Sequence, residues 1–524
     1  MTKKINLFAN LKSDFASGLV VFLVALPLCL GIALASGAPL FSGIISGVIG
    51  GIAVGLLSKS HISVSGPAAG LTAIVLVAIT DLGAFDIFLT AVLIAGLIQL
   101  ALGFIKAGGI SNFFPTNVIE GMLAGIGVII FLKQIPKALG SDVSVGSGLK
   151  IFTDVASSFG DVKIGVAIVT LISLAIILIW DKIPALKNIK MLPAALIAVT
   201  IGVLINEFFF KGTSLEITSK YLVSLPVPTT AEEFKAIIVS PDFSGFINPK
   251  VWMVGLTIAI VASIETLLCI EAADRMDIHK RYTDTNVELK AQGIGNIVSA
   301  LLGGLPMTSV VVRSSANVNA GAKSKISAVI HGVLLLISVL TIPVLLNKIP
   351  FATLAAILLL IGYKLAKPSI FKHFWEQGKY QFAPFIATFG AVVFLDLLKG
   401  VALGMIISVI YILKGNMKRA YNFRTEEYHD GDLIHIDLAQ EVSFLNKSAI
   451  KSTLASIPEN SKVNINASDT VYIAHDVLDL IKEFKKIRAK EENIKVKLVG
   501  FKKAYNLENT GEEEKHVFVE HKTV

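Results

Sequence analysis

Ile62-Ser63-Val64-Ser65-Gly66-Pro67-Ala68-Ala69-Gly70 and Gly303-Gly304-Leu305-Pro306-Met307-Thr308-Ser309-Val310-Val311-Val312-Arg313 each break an apolar chain with glycine and proline ahead of a short apolar segment. The segments, at about 67–81 and 309–321, are shorter than the runs around them. A residue before proline is pushed out of the helical region, and proline itself suits the first helical position. A helix is therefore expected to start near Pro67 after a short extended piece. In the second segment Thr308 or Ser309 can cap a helix beginning at Val310. Each start leaves free N–H groups and the positive end of a helix dipole. Two such ends facing one another near the middle of a membrane make an anion site without any charged side chain. Arg313, within the first turn of the second helix, adds positive potential.

Outward from these segments the chain is almost all apolar. It has 524 residues, 54% of them hydrophobic and only 16% charged. A soluble domain carries about 25% charged residues, so most of this sequence does not face water. Fourteen runs can be drawn, from about 17–36 to 400–414, with the short segments third and tenth. A hydrocarbon core of about 30 Å needs about 20 residues of helix. If the membrane region divides near residue 230, the two interruptions fall at corresponding places in two halves of seven spans. An odd number of spans per half inverts the second, and paired short, interrupted segments are the sequence mark of a transporter site built on an inverted repeat. The expected fold is thus an all-α polytopic membrane protein of fourteen spans, with repeats at about 12–210 and 250–415 in a transport domain ending near 420.

The net charge of +8 raises the question of nucleic acid. The basic residues instead sit in short loops beside apolar runs: Lys59, Lys106, Lys182, Arg275 with Lys280 and Arg281, Lys323 with Lys325, and Lys414. That is the bias that orients membrane proteins, and it places both termini in the cytoplasm. No nucleic-acid partner is expected. Met1–Asn10 is polar and no cleavage pattern follows, so the first run reads as a retained span. Cys29 and Cys269 both lie in apolar runs, too few for a disulfide framework or a zinc site. No metal, cofactor or catalytic residue is expected.

Glu265, deep in the eighth run, is an intramembrane carboxylate and hence a functional candidate. It can bind sodium, carry a coupling proton, or pair structurally with Arg313. Glu120 and Asp396, near run ends, read as packing or interfacial groups, and His331 as an internally hydrogen-bonded histidine. Gly293, Gly295 and Ser299 permit close helix approach.

These elements in this order resemble the SulP family of inorganic anion transporters. The likeness runs through Leu11–Leu19 with Ala25-Leu26-Pro27, Val64–Pro67, Asn286–Asn296, Gly303 through Arg313 and Asn317, and Ala320–Lys323. It implies two inverted seven-span repeats, a core and a gate domain, homodimers, and elevator-like exchange or cation-coupled uptake of bicarbonate, sulfate or a similar anion. It implies that Ala68, Ala69 and Gly70 line the anion site, with Ser309, Val310 and Val311 as their partners. Glu265 matches an acidic position that is Asp in sodium-coupled bicarbonate members. Cys269 stands where those have a sodium-ligating Thr, and Val311 replaces another hydroxyl residue. Sodium wants oxygen ligands, not a thiol or an isopropyl group, so the proton gains over sodium as coupling ion. Leu26-Pro27-Leu28 lacks the glutamine that follows this proline in sulfate-type members, which favours bicarbonate.

After about residue 425 the composition turns soluble. Period-two runs at Leu433–Asp437 and Val463–Ile465, an amphipathic run at Val477–Arg488 and a strand at Ile494–Leu498 indicate a small α/β domain over 428–510, followed by a charged tail at 511–524. The resemblance implies a STAS-like domain. Its phosphorylatable serine position is not matched, since His475 stands near it, so a dimer or partner interface is expected rather than a phospho-switch. Two other readings compete with an anion transporter. A nucleobase:cation symporter shares the seven-plus-seven plan but places a carboxylate in the tenth segment, where this chain has Arg313. A membrane-embedded enzyme needs a metal cluster, a nucleophile–base pair or a P-loop, and none is recognisable.

Overall fold

The computed structural model describes residues 10–109, 115–146, 148–180, 182–183, 193–227, 230, 232–233, 237–395, 397–418, 421–426, 433–505 and 507. The chain forms two compact units, Met1–Met405 and Ile406–Val524. The division falls inside the last long helix, Leu397–Lys418, ahead of the compositional break near 420.

The first unit is helical. Its principal elements, in chain order, begin with α1 Leu11–Ala35, α2 Leu40–Leu57, the short strand β1 Ser65–Pro67, α3 Ala69–Leu82, α4 Phe85–Phe104 and α5 Thr116–Leu139. They continue with α6 Lys150–Ser158, α7 Ile164–Trp180, α8 Ala194–Phe210, α9 Pro249–Met276 and α10 Thr285–Leu301. The strand β2 Met307–Ser309 follows, then α11 Val311–Asn319, α12 Ile326–Thr341, α13 Phe351–Leu365, α14 Pro368–Glu376 and α15 Lys379–Phe394. Among the described residues six helices are long and apolar enough to cross a membrane, and four shorter apolar ones accompany them. This is a multi-pass membrane protein.

Proline and glycine set many of the boundaries. α5 and α13 start directly after Pro115 and Pro350, which hold extended dihedrals, and Gly83 and Gly140 close α3 and α5 in the left-handed region. α4 and α10 touch backbone to backbone: a Cβ on Gly96 would lie 2.8 Å from the Ile297 nitrogen, and one on Gly293 2.6 Å from that of Leu100. Small residues at a helix crossing permit this approach. The start of α1 is fixed from the other half of the chain. The buried Asp14 carboxylate accepts the backbone N–H of Lys323 at 2.8 Å and of Ser324 at 3.0 Å, and the Ser324 hydroxyl at 2.6 Å. Asp14, within Leu11–Leu19, thereby satisfies the turn that follows α11.

The second unit carries a four-stranded sheet in the order β3-β4-β5-β6, from Tyr421–Glu426, Leu433–Leu438, Lys462–Asn466 and Lys495–Val499. β3 and β4 are antiparallel; β4 with β5, and β5 with β6, are parallel. The expected strands and the amphipathic helix, here His475–Glu483, are present, and the alternation Ile434, Ile436, Leu438 faces the core. β3 and the helix Lys447–Ala455 were not anticipated. The 511–524 tail lies outside the described residues.

Candidate functional site

The extended pieces before the two half-helices pair with each other. β1 and β2 are antiparallel in the register Ser65↔Ser309, Gly66↔Thr308, Pro67↔Met307. The pairing extends past the Ser65/Ser309 end: Val310 N–H donates to the Val64 carbonyl at 3.0 Å, and the Asn317 side chain donates through Nδ2 to that of Ile62 at 2.9 Å. This corrects the expected helix starts. Pro67 ends a strand and does not open a helix; a 3-10 turn at Ala69–Leu71 leads into α-helix from Thr72. Thr308 and Ser309 lie in β2, and the second helix begins at Val311 with Val310 as its extended N-cap. The strand pairing supplies partners for the backbone there, and proline is tolerated at a strand end because it withholds one N–H. Neither N-cap residue, Ala68 or Val310, caps its helix with its own side chain, so first-turn N–H groups remain beyond the Val311 backbone that Cys269 meets.

α9 passes both starts. Glu265 packs against the first: a Cβ on Gly70 would lie 2.7 Å from Oε1 and 2.9 Å from Oε2. The residue is half-buried, and Oε2 is buried without a hydrogen-bond partner. One residue on, Thr266 Oγ1 accepts the Ser309 N–H at 3.4 Å, and the Cys269 thiol sits at the backbone of Val311. The structure thus brings Gly70, Glu265, Ser309 and Val311 to one place. Ala68 is buried, Ala69 and Val310 half-buried, and Val311 exposed.

Arg313 lies behind the strand pair. Its guanidinium is fully buried and Nη2 donates to Cys29 Sγ at 3.3 Å, while Nε and Nη1 make no hydrogen bond. A Cβ on Gly66 would lie 2.1 Å from Nη1. Among the described residues no ion pair joins it to Glu265, so pairing between them is not what keeps either charge in the membrane. His331 is also buried, on α12 beside the Ala328 backbone. Glu120 is half-buried in α5, and Asp396 lies outside the described residues.

Sequence reading missed the polar face of α10. Glu288 accepts hydrogen bonds from Ser58 Oγ and from Gln292 Nε2; Gln292 Nε2 also reaches Ser65 Oγ on β1 at 2.6 Å. Asn296 grips β2 at both backbone atoms of Met307, accepting N–H at 2.7 Å and donating to the carbonyl at 3.2 Å. Ser299 donates to the Leu305 carbonyl at 2.8 Å. The signal was in the sequence, as Glu288, Gln292 and Asn296 recur every four residues and share a helix face. Among the described residues no group of three or more His, Cys, Asp or Glu could hold a metal ion.

Residues 11–388 match the model of the sulfate permease family. The chain belongs to the sulfate permease family. Membership places it among transporters and sets aside the membrane-enzyme and nucleobase-symporter readings. Among curated sulfate permease relatives, "Putative sulfate transporter YvdB" of Bacillus subtilis (strain 168) is 29% identical over 421 residues, covering 80% of this chain and 76% of the relative. "Bicarbonate transporter BicA" of Picosynechococcus sp. is 24% identical over 440 residues, covering 82% and 75%. The fold is similar to murine Solute Carrier 26 family member A9, described as an anion transporter in the inward-facing state, with a TM-score of 0.75 at 17% identity over 96% of this chain and 87% of that one. It is also similar to the transmembrane domain of a cyanobacterial BicA, with a TM-score of 0.60 at 24% identity over 77% and 98%.

Proposed function

We propose that this chain moves a small inorganic anion across the cytoplasmic membrane by secondary active transport, with bicarbonate as first substrate and sulfate as second. The observation that carries the reading is the register Ser65↔Ser309, which sets two uncapped helix starts beside one another. Free N–H groups and the positive dipole ends of the two helices favour an anion held between Ala68, Ala69 and Gly70 on one side and Ser309, Val310 and Val311 on the other. Arg313, a fixed cation behind Gly66, strengthens the field from the rear. A relative named for sulfate and one named for bicarbonate both support an inorganic anion. The Leu28 that replaces glutamine after Pro27 favours bicarbonate.

Glu265 is the coupling group in this reading. Its carboxylate lies against the same helix start that would hold the substrate, and two negative charges there repel one another. Neutralising Glu265 with a proton admits the anion, and losing the proton helps release it. The thiol of Cys269 and the side chain of Val311 beside it make a poor sodium shell, which ranks the proton ahead of sodium. The remaining parts of the reading are an elevator-like stroke, a homodimer, cytoplasmic termini, and a STAS-like second unit serving as a dimer or partner interface.

Uptake of labelled bicarbonate and sulfate into proteoliposomes, with and without sodium or a pH gradient, tests it. Expected is bicarbonate uptake that follows the pH gradient and is lost in Arg313→Ala, with Glu265→Gln insensitive to the gradient. Normal transport by both variants would remove the site, and sodium-dependent uptake indifferent to pH would remove the proton.

A further inference from the structure

One turn beyond the start of α3, the first unit contains a half-open cavity of about 340 Å³. Ala73, Ile74 and Val77 of α3 line it together with Ile129 and Lys133 of α5. Val254 and Thr257 of α9 and Val392 of α15 add to the lining. The volume is that of a pocket for a small organic molecule. Lys133 is half-buried, and among the described residues it forms no hydrogen bond and no ion pair. Asp81 and Lys399 also line the cavity and are exposed.

Apolar walls are a poor setting for a small hydrated anion, which would give up its water to isoleucine and valine. They suit a molecule with an apolar body, and an unpaired ammonium held among them asks for an acid group. We propose that this cavity binds an organic acid with an apolar body, its acid group on Lys133, and that the occupant arrests the protein by wedging α3 against α5. The arrest rests on the transport reading above, since α3 carries the helix start assigned to the anion; the binding does not. Aromatic acids from solution and fatty-acid-like lipids share the required chemistry.

The test uses the full chain in phosphatidylcholine nanodiscs, with naphthalene-2-sulfonate as probe and naphthalene-2-sulfonamide as its neutral counterpart, followed by calorimetry. Saturable binding of the sulfonate is expected, weakened roughly tenfold or more by Lys133→Gln, restored in large part by Lys133→Arg, and abolished by Val77→Trp, which fills the cavity. The sulfonamide should bind weakly and alike to wild type and Lys133→Gln. Competition by octanoate would assign the site to lipid-like acids, and its failure beside a binding sulfonate to aromatic acids. Absence of saturable binding by either acid, or affinity unchanged in both Lys133→Gln and Val77→Trp, overturns the proposal. Proteoliposome uptake then separates the two readings. Binding without any anion uptake refutes transport and leaves the cavity site standing, whereas uptake without binding does the reverse.

Discussion

Gly70 and Glu265 touch so closely that a methyl group on the glycine would sit 2.7 Å from the carboxylate oxygen Oε1. Contacts of that length require something to move, and what would move is the acid proposed to couple transport. Gly70→Ala is therefore expected to cut uptake by roughly tenfold or more while leaving the melting temperature within a few degrees. Equal losses in uptake and in melting temperature would mean that the glycine serves packing alone.

Gly66 and Arg313 offer a second steric pair, with a Cβ on the glycine 2.1 Å from Nη1. Gly66→Ala should destabilise strongly, and Arg313→Ala should relieve part of that loss because the clashing group is gone. Residues in contact show coupling of about 0.5–3 kcal/mol in a double-mutant cycle. Thermal melting of the two single variants and the double variant measures it, and strictly additive effects would place the guanidinium elsewhere.

Asn296 holds both backbone atoms of Met307. Asn296→Ala strands a buried donor and a buried acceptor, at about 1–3 kcal/mol for each group left unpaired. The variant should melt lower than wild type and transport more slowly. Asn296→Asp, which keeps only the acceptor, should fall between the two on the melting curve.

Asp277, just past the end of α9, sits in a fork of Arg281, with Nε at 2.6 Å from Oδ2 and Nη2 at 3.0 Å from Oδ1. Burial pushes this carboxyl up, but the hydrogen bonds from Arg281 and from the backbone N–H groups of His279 and Arg281 outweigh it and hold it at about 2. An unfolded Asp ionises near 3.9. The folded value is the lower one, so the contribution to stability is complete above about pH 4 and is lost as pH falls toward 2. Asp277→Asn should melt lower than wild type at pH 7, with the gap closing between about pH 4 and 2. A gap that stays constant over that window would refute the assignment.

The membrane class, the two interruptions and the α/β character of the second unit were legible because apolar runs, Gly-Pro breaks and period-two strands are local signals. Glu265 stood out for a similar reason, as a single carboxylate in an apolar run. The pairing of β1 with β2 was not legible. Three residues such as Ser65-Gly66-Pro67 have no strand signature, and their partner Met307–Ser309 lies more than two hundred positions away. The helix starts were displaced because strand pairing took Pro67, Thr308 and Ser309 out of the helices that local rules gave them. Arg313 was assigned to the first turn correctly, but its direction depends on the space left by Gly66, which no local rule reports.

The register between β1 and β2 also constrains length. Side chains alternate across a strand, so deleting or inserting one residue between Gly304 and Met307 would turn every β2 side chain to the opposite side of the crossing. The same slip would rotate α11 by about 100° about its axis, carrying Arg313 away from Gly66 and Val311 away from Cys269. The loops ahead of the two strands thus behave like a reading frame. They can vary in composition, but only as long as their residue count is preserved.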